Sequence, residues 1–225
     1  MSRKPRYTCP ANVDGVRRVS IAILAALTLA AACSSGRSVT RMESGGEIEL
    51  PTATTSPSAQ AAIAAWPAMR KEAATKLIDK YGPPDVVGER MLVWHDKGPY
   101  VKTSISRDEV AHNFPMPHTD FLAQTVKYRV PLDKLDDLAA YDGSVWFHRT
   151  RGEMTAQCDM EELNNLALNL AHDVASGRRT IDDARAFYGK TAMAFKSGDR
   201  SSPYLTGLIF QPSATAADPD TALTK

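Results

Sequence analysis

The densest group of chemistry-bearing side chains is the run His112-Asn113-Phe114-Pro115-Met116-Pro117-His118-Thr119-Asp120. Imidazole and carboxylate groups suit zinc or another divalent metal, so His112, His118 and Asp120 make a candidate ligand set if their side chains converge. The spacing His-x5-His-x-Asp follows no established zinc pattern. A complete site also needs a further donor, for which His148, His172 and Cys158 are the candidates from elsewhere in the chain. Two prolines flank Met116, fix backbone angles and remove two hydrogen-bond donors. The same residues also read as a stiff, hydrogen-bonded loop bridging two strands.

A second group, Asn165, Asn169, His172 and Asp173, falls at helical spacing and makes a polar stripe. Such a stripe hydrogen-bonds a ligand if it faces a cleft, and is otherwise the solvated side of an amphipathic helix. Cys158 precedes that helix, whose N-terminal dipole would favour a thiolate nucleophile paired with His112, His118 or His148. Its strand-face neighbours Met154 and Ala156 argue instead for a buried, inert thiol. The sequence holds no phosphate-binding glycine loop, no Gly-x-Ser-x-Gly elbow and no His-Glu-x-x-His helix. The charges of Glu153, Asp159 and Glu161 are explained by solvation and helix capping as well as by acid/base chemistry. No organic cofactor is expected; a divalent metal at the His112 group is the one inorganic candidate.

The elements that must carry these residues follow from periodicity. Trp66, Met69, Ala73, Leu77 and Tyr81 share one face of a helix over residues 59–81, with Pro67 as a restart or kink and Gly82-Pro83-Pro84 as the stop. Residues 91–95 and 100–106 read as a hairpin around Asp96-Lys97-Gly98-Pro99, followed by an irregular stretch over 107–120. Residues 122–130 alternate as a half-buried strand, and Pro131 opens a short helix through Leu132, Leu135 and Leu138. Residues 144–149 and 153–158 form a second hairpin. Asp159 with Glu162, and Thr180 with Asp183, read as capping boxes for two further helices that stop at Gly177 and Gly198. Residues 204–210 read as a closing strand. The sum is α+β, an antiparallel sheet of about five strands with three or four helices mainly on one face.

Length and composition agree with a single domain. The chain has 225 residues, 43% of them apolar and 24% charged, which excludes wholesale disorder and a polytopic membrane protein. Fifteen of the sixteen aromatic residues fall between Trp66 and Phe210, so the folded body is expected over residues 59–210, with 211–225 a frayed tail. The formal charge of +1 leaves no electrostatic footprint for nucleic acid.

The N-terminus reads as an address. Arg3, Lys4, Arg6, Arg17 and Arg18 precede an apolar run over residues 19–32, too short for a comfortable transmembrane helix and of the right length for a signal h-region. The run ends in Leu29-Ala30-Ala31-Ala32-Cys33-Ser34-Ser35. Here the chain resembles bacterial lipoproteins, in which small residues precede a cysteine that is acylated and becomes the new N-terminus. Ala30 stands where that pattern usually has leucine. The resemblance implies cleavage of residues 1–32, lipidation of Cys33 and anchorage by two or three acyl chains, one chain alone holding only marginally. It implies a cell-envelope location, in the outer membrane if the source is Gram-negative, since Ser34 rather than aspartate follows the cysteine. Residues 33–58 then form a tether, fifteen of the 25 after Cys33 being Ser, Thr, Gly or Pro. The mature chain would carry a net charge of −3 and a single thiol, Cys158, with no partner for an intramolecular disulfide. The expectation is a membrane-anchored module that binds an envelope protein or small ligand. The alternative is a metal-dependent enzyme, perhaps a hydrolase, built on His112, His118 and Asp120.

Overall fold

The computed structural model describes residues 58–224. The signal peptide expected over residues 1–32, the lipidation of Cys33 and nearly all of the tether lie outside the described residues. No helix among the described residues is long and apolar enough to cross a membrane.

The described residues form one six-stranded antiparallel sheet and six α-helices, confirming the α+β class. The strands are β1 (Val86–Val87), β2 (Met91–Lys97), β3 (Tyr100–His112), β4 (His118–Lys127), β5 (Val145–His148) and β6 (Glu153–Cys158). Their order across the sheet is β1-β2-β3-β4-β6-β5. The helices are α1 (Ala59–Ile63), α2 (Ala68–Tyr81), α3 (Leu135–Tyr141), α4 (Glu161–Ala175), α5 (Ile181–Lys196) and α6 (Pro203–Thr206).

Register explains which face is buried. Leu92 pairs with Ile105, Ile105 with Leu122, and Leu122 with Cys158. Trp94, Thr103, Gln124, Ala156 and Val145 make the parallel row. Side chains alternate along a strand, so both rows share one face, and all of these residues are buried. Leu163, Leu166, Leu170 and Val174 of α4 and Ala74 and Leu77 of α2 complete the core. Burying one Leu-sized side chain contributes about 1.5–3 kcal/mol, so these rows are the main source of stability.

The helical stretch over 59–81 is interrupted as Pro67 implies: of the two options, restart or kink, the structure takes the restart, with α1 ending at Ile63 and α2 beginning behind the proline. Several expectations need correction. Residues 107–120 are not irregular: β3 and β4 run on as a hairpin to the pair His112↔His118, past a bulge between Ile105 and Val110. Asp159 does not cap α4, whose N-cap is Met160, whereas Thr180 caps α5 by accepting the Asp183 amide at 3.1 Å.

Residues 204–210 form no strand. Their backbone is taken up by side chains of α4 instead: Asn165 Nδ2 donates to the Leu205 carbonyl at 3.1 Å. Asn169 Nδ2 donates to Tyr204 and Gly207 at 3.0 and 2.8 Å, and its Oδ1 accepts the Ile209 amide at 2.9 Å. These bonds replace a sheet ladder. The tail, residues 211–224, is not frayed either. The Ser213 amide donates to the Lys127 carbonyl, Ala216 is buried, and Asp218 pairs with Arg149 at 2.9 Å. Gly152 makes this possible: its φ is +58°, and a Cβ there would overlap the Ala216 backbone.

Candidate metal centre

The far end of the β3–β4 hairpin builds the site. His112 and His118 lie directly opposite each other in the register, and Asp120 follows His118 by two residues. A period of two in a strand places all three side chains on one face. Five residues, Asn113 to Pro117, close the hairpin, so His-x5-His-x-Asp is the spacing of a hairpin end and its adjoining strand face. Phe114 closes the loop over the body, with its ring 5.1 Å from Tyr188 and the Arg185 guanidinium 3.9 Å above it.

One ligand atom each from His112, His118 and Asp120 come within 4.8 Å of one another. His118 Nε2 is 3.0 Å from Asp120 Oδ1, and His112 Nδ1 is 3.2 Å from Asp120 Oδ2. Ligands held tetrahedrally at about 2.0 Å from zinc stand about 3.3 Å apart, and these distances approximate that edge. His112 Nδ1 and Asp120 Oδ1 are buried without an aligned hydrogen-bond partner. Buried polar atoms left in this way are rare and call for an explanation such as an ion.

The outer atoms are fixed as ligating histidines require. His118 Nδ1 lies 2.8 Å from the Met116 carbonyl, which holds the tautomer with its proton outward and Nε2 free to coordinate. His112 Nε2 lies 3.5 Å from Asp142 Oδ1. Ser144 donates its hydroxyl to Asp120 Oδ2, and its amide donates to Asp142 Oδ1 at 2.8 Å. Asp142 and Ser144 come from the loop between α3 and β5 and were not among the candidates read from the sequence. Asp142-Gly143-Ser144 carries only the signature of a tight turn.

Charge points the same way. Asp120 is 1% exposed and Asp142 3%. Two carboxylates so deeply buried cost several kcal/mol each unless a cation compensates them. Arg185, from α5, donates to the Tyr141 carbonyl at 2.5 Å rather than to either carboxylate. Contact with the Asp120 carboxylate raises the His118 pKa above its usual value, while burial raises that of Asp142, and both shifts lessen the negative charge of the metal-free cluster. One divalent cation among neutral imidazoles would balance both carboxylates.

Of the other candidate donors, Cys158 lies beside His118, its Sγ 3.5 Å from Nε2, but it is not among the ligand atoms within 4.8 Å of one another. It is not a preformed nucleophile: burial pushes its pKa well up and only 2% of it is exposed. His148 accepts the Arg151 amide at the β5–β6 turn. Asn169 and His172 do not join the cluster. Asn169 binds the 204–209 backbone, and His172 Nδ1 meets the Tyr128 hydroxyl at 2.8 Å while its ring stacks on Phe210. Asn165 and Asp173 are likewise buried and internally bonded, so the stripe on α4 is not a solvated face, and of its members only Asn165 also lines a groove. That groove, of about 870 Å³, runs between α2 and α4, and its lining reaches Asp159 but none of His112, His118 or Asp120.

Comparison of the chain with family models, curated proteins and solved structures returned no match.

Proposed function

We propose that the chain is a lipid-anchored cell-envelope protein whose folded domain holds a divalent metal ion and acts as a binding or interaction module rather than as an enzyme. The anchor rests on the basic n-region, the short apolar run and the small residues before Cys33. The partner is an envelope protein or small ligand, not nucleic acid, in keeping with the acidic balance of the mature chain.

The convergence of His112, His118 and Asp120, whose facing atoms lie 3.0–3.2 Å apart with two of them buried and making no aligned hydrogen bond, is the observation that carries the metal reading. Two imidazoles and a carboxylate favour zinc over magnesium or calcium, which take mainly oxygen donors. Enclosure supports retention rather than turnover: the His112 and His118 side chains are 17% and 10% exposed. Closed zinc sites stabilise folds, whereas catalytic ones keep a position open to substrate.

Elemental analysis of the purified full chain tests this reading. About one equivalent of zinc is expected in the native protein and almost none in a His112→Ala/His118→Ala variant. Equal, negligible metal in both would remove it. A second reading, a metal-dependent hydrolase, draws on the count of three converging donors, which leaves one position for a water. Zinc-dependent ester or phosphoester turnover that disappears in His118→Ala would favour it.

A further inference from the structure

We infer that Cys158 is the fourth ligand of the metal centre, giving a closed His112–His118–Asp120–Cys158 set that selects a thiophilic ion such as zinc. The inference rests on the metal reading above and goes beyond it by naming the donor that closes the site.

Topology brings the thiol there. Cys158 ends β6 and pairs with Leu122 of β4, two residues beyond Asp120. Leu122 shares its strand face with Asp120 and His118, so Cys158 stands on that face in the neighbouring strand. Its Sγ is 3.5 Å from His118 Nε2 but stands outside the group of ligand atoms that lie within 4.8 Å of one another, so ligation requires the thiol to turn toward His112 and Asp120. Zinc bonds of about 2.3 Å to sulfur and 2.0–2.1 Å to nitrogen put the two donors about 3.5 Å apart in a tetrahedron. The sulfur also has Asp159 Oδ1 at 3.5 Å, an acceptor that orients the thiol while it keeps its proton, and the buried Tyr188 beside it.

Independent support comes from the ligand atoms already in place. Asp120 Oδ1 is buried and without an aligned hydrogen bond, and it faces the same His118 Nε2 that the thiol touches. An open catalytic position would need a path for substrate, whereas the sulfur beside His118 is buried. Metal binding would release the thiol proton, because the thiolate is the ligand. Thiolate ligation would also separate this centre from magnesium and calcium sites.

Cobalt(II) is the probe. The full chain is prepared in detergent with Cys9→Ser and Cys33→Ser, so that Cys158 is its only thiol, and is titrated with cobalt(II) alone. The expected result is tetrahedral visible absorption together with a near-ultraviolet thiolate-to-cobalt charge-transfer band. Adding Cys158→Ser should abolish the charge-transfer band and weaken cobalt affinity by more than about 100-fold, since even outer-shell partners are worth about 10- to 100-fold. Visible cobalt bands without charge transfer before Cys158 is changed would overturn the inference while leaving the three-ligand metal reading intact. That measurement requires no folded Cys158 variant. Absence of any cobalt binding would overturn both.

Discussion

Asn169 has the clearest energetic role outside the metal centre. It sits fully buried on α4 and makes three hydrogen bonds to the backbone of the 204–209 segment, to Tyr204, Gly207 and Ile209. Asn169→Ala removes all three bonds and leaves no side chain to replace them. At about 1 kcal/mol net per bond the loss is about 3 kcal/mol. Tyr204 and Gly207 are only half-buried, so water replaces part of it and the expected cost is about 2–3 kcal/mol. For a domain of this size that is a fall in Tm of roughly 4–12 °C. Urea unfolding gives the free energy, and hydrogen exchange at the Ile209 amide reports the lost acceptor directly. Wild-type protection at Ile209, or a cost well below 1 kcal/mol, would refute the account of α4 as the substitute partner for this segment.

Three other outcomes follow from the same geometry. Gly152→Ala should cost about 1–2 kcal/mol from the left-handed backbone alone and should also release the tail, seen as new proteolytic cleavage within residues 211–224. An intact tail would show that Ala216 does not depend on that gap. Burial lowers the His172 pKa, so the unfolded chain binds a proton there that the folded chain resists. The stability it contributes is present above about pH 6.5 and is lost as the pH falls below it. Thermal melts should therefore show a smaller loss between about pH 7.5 and pH 5.5 for His172→Phe, which retains a ring against Phe210, than for the wild type; equal losses would exclude this role. Finally, zinc at about 100 times its Kd should raise unfolding stability by about 2.7 kcal/mol in the wild type and not in Asp120→Asn. A rise of the same size in Asp120→Asn would remove that carboxylate from the ligand set.

Local signals made much of the fold legible. The turn at Asp96-Lys97-Gly98-Pro99, the alternation through Val126, and the Thr180 cap each rest on residues near one another in the chain, and each lies where the pattern puts it. Extension of β3 and β4 over residues 107–120 was hidden because Arg107, Asp108, Glu109 and His112 are polar. Those strands are held by their pairing and by ion pairs such as Arg107–Glu89 rather than by an apolar face. The fate of the α4 stripe was equally hidden. Asn165 and Asn169 find their partners some 35–40 residues away, and no periodicity announces a backbone segment that needs side-chain donors.

Site residues divide along the same line. His112, His118 and Asp120 were visible because one hairpin carries all three. Reading that hairpin as strand rather than loop would have predicted their shared face from spacing alone. Cys158 was visible as a thiol, but its approach to His118 depends on β6 pairing with β4 across an intervening helix and β5. Asp142 and Ser144 depend on the return of the α3–β5 loop to the hairpin end, which no local pattern encodes.

The central claim is a metal ion held between the two hairpin histidines and Asp120. Anomalous diffraction at the zinc edge, from crystals grown with zinc, tests it most directly. The account predicts one strong peak at about 2.0–2.1 Å from His112 Nδ1 and His118 Nε2 and at about 2.0–2.2 Å from Asp120. A peak absent from that point, with His112 and His118 bonded to protein groups alone, would contradict it.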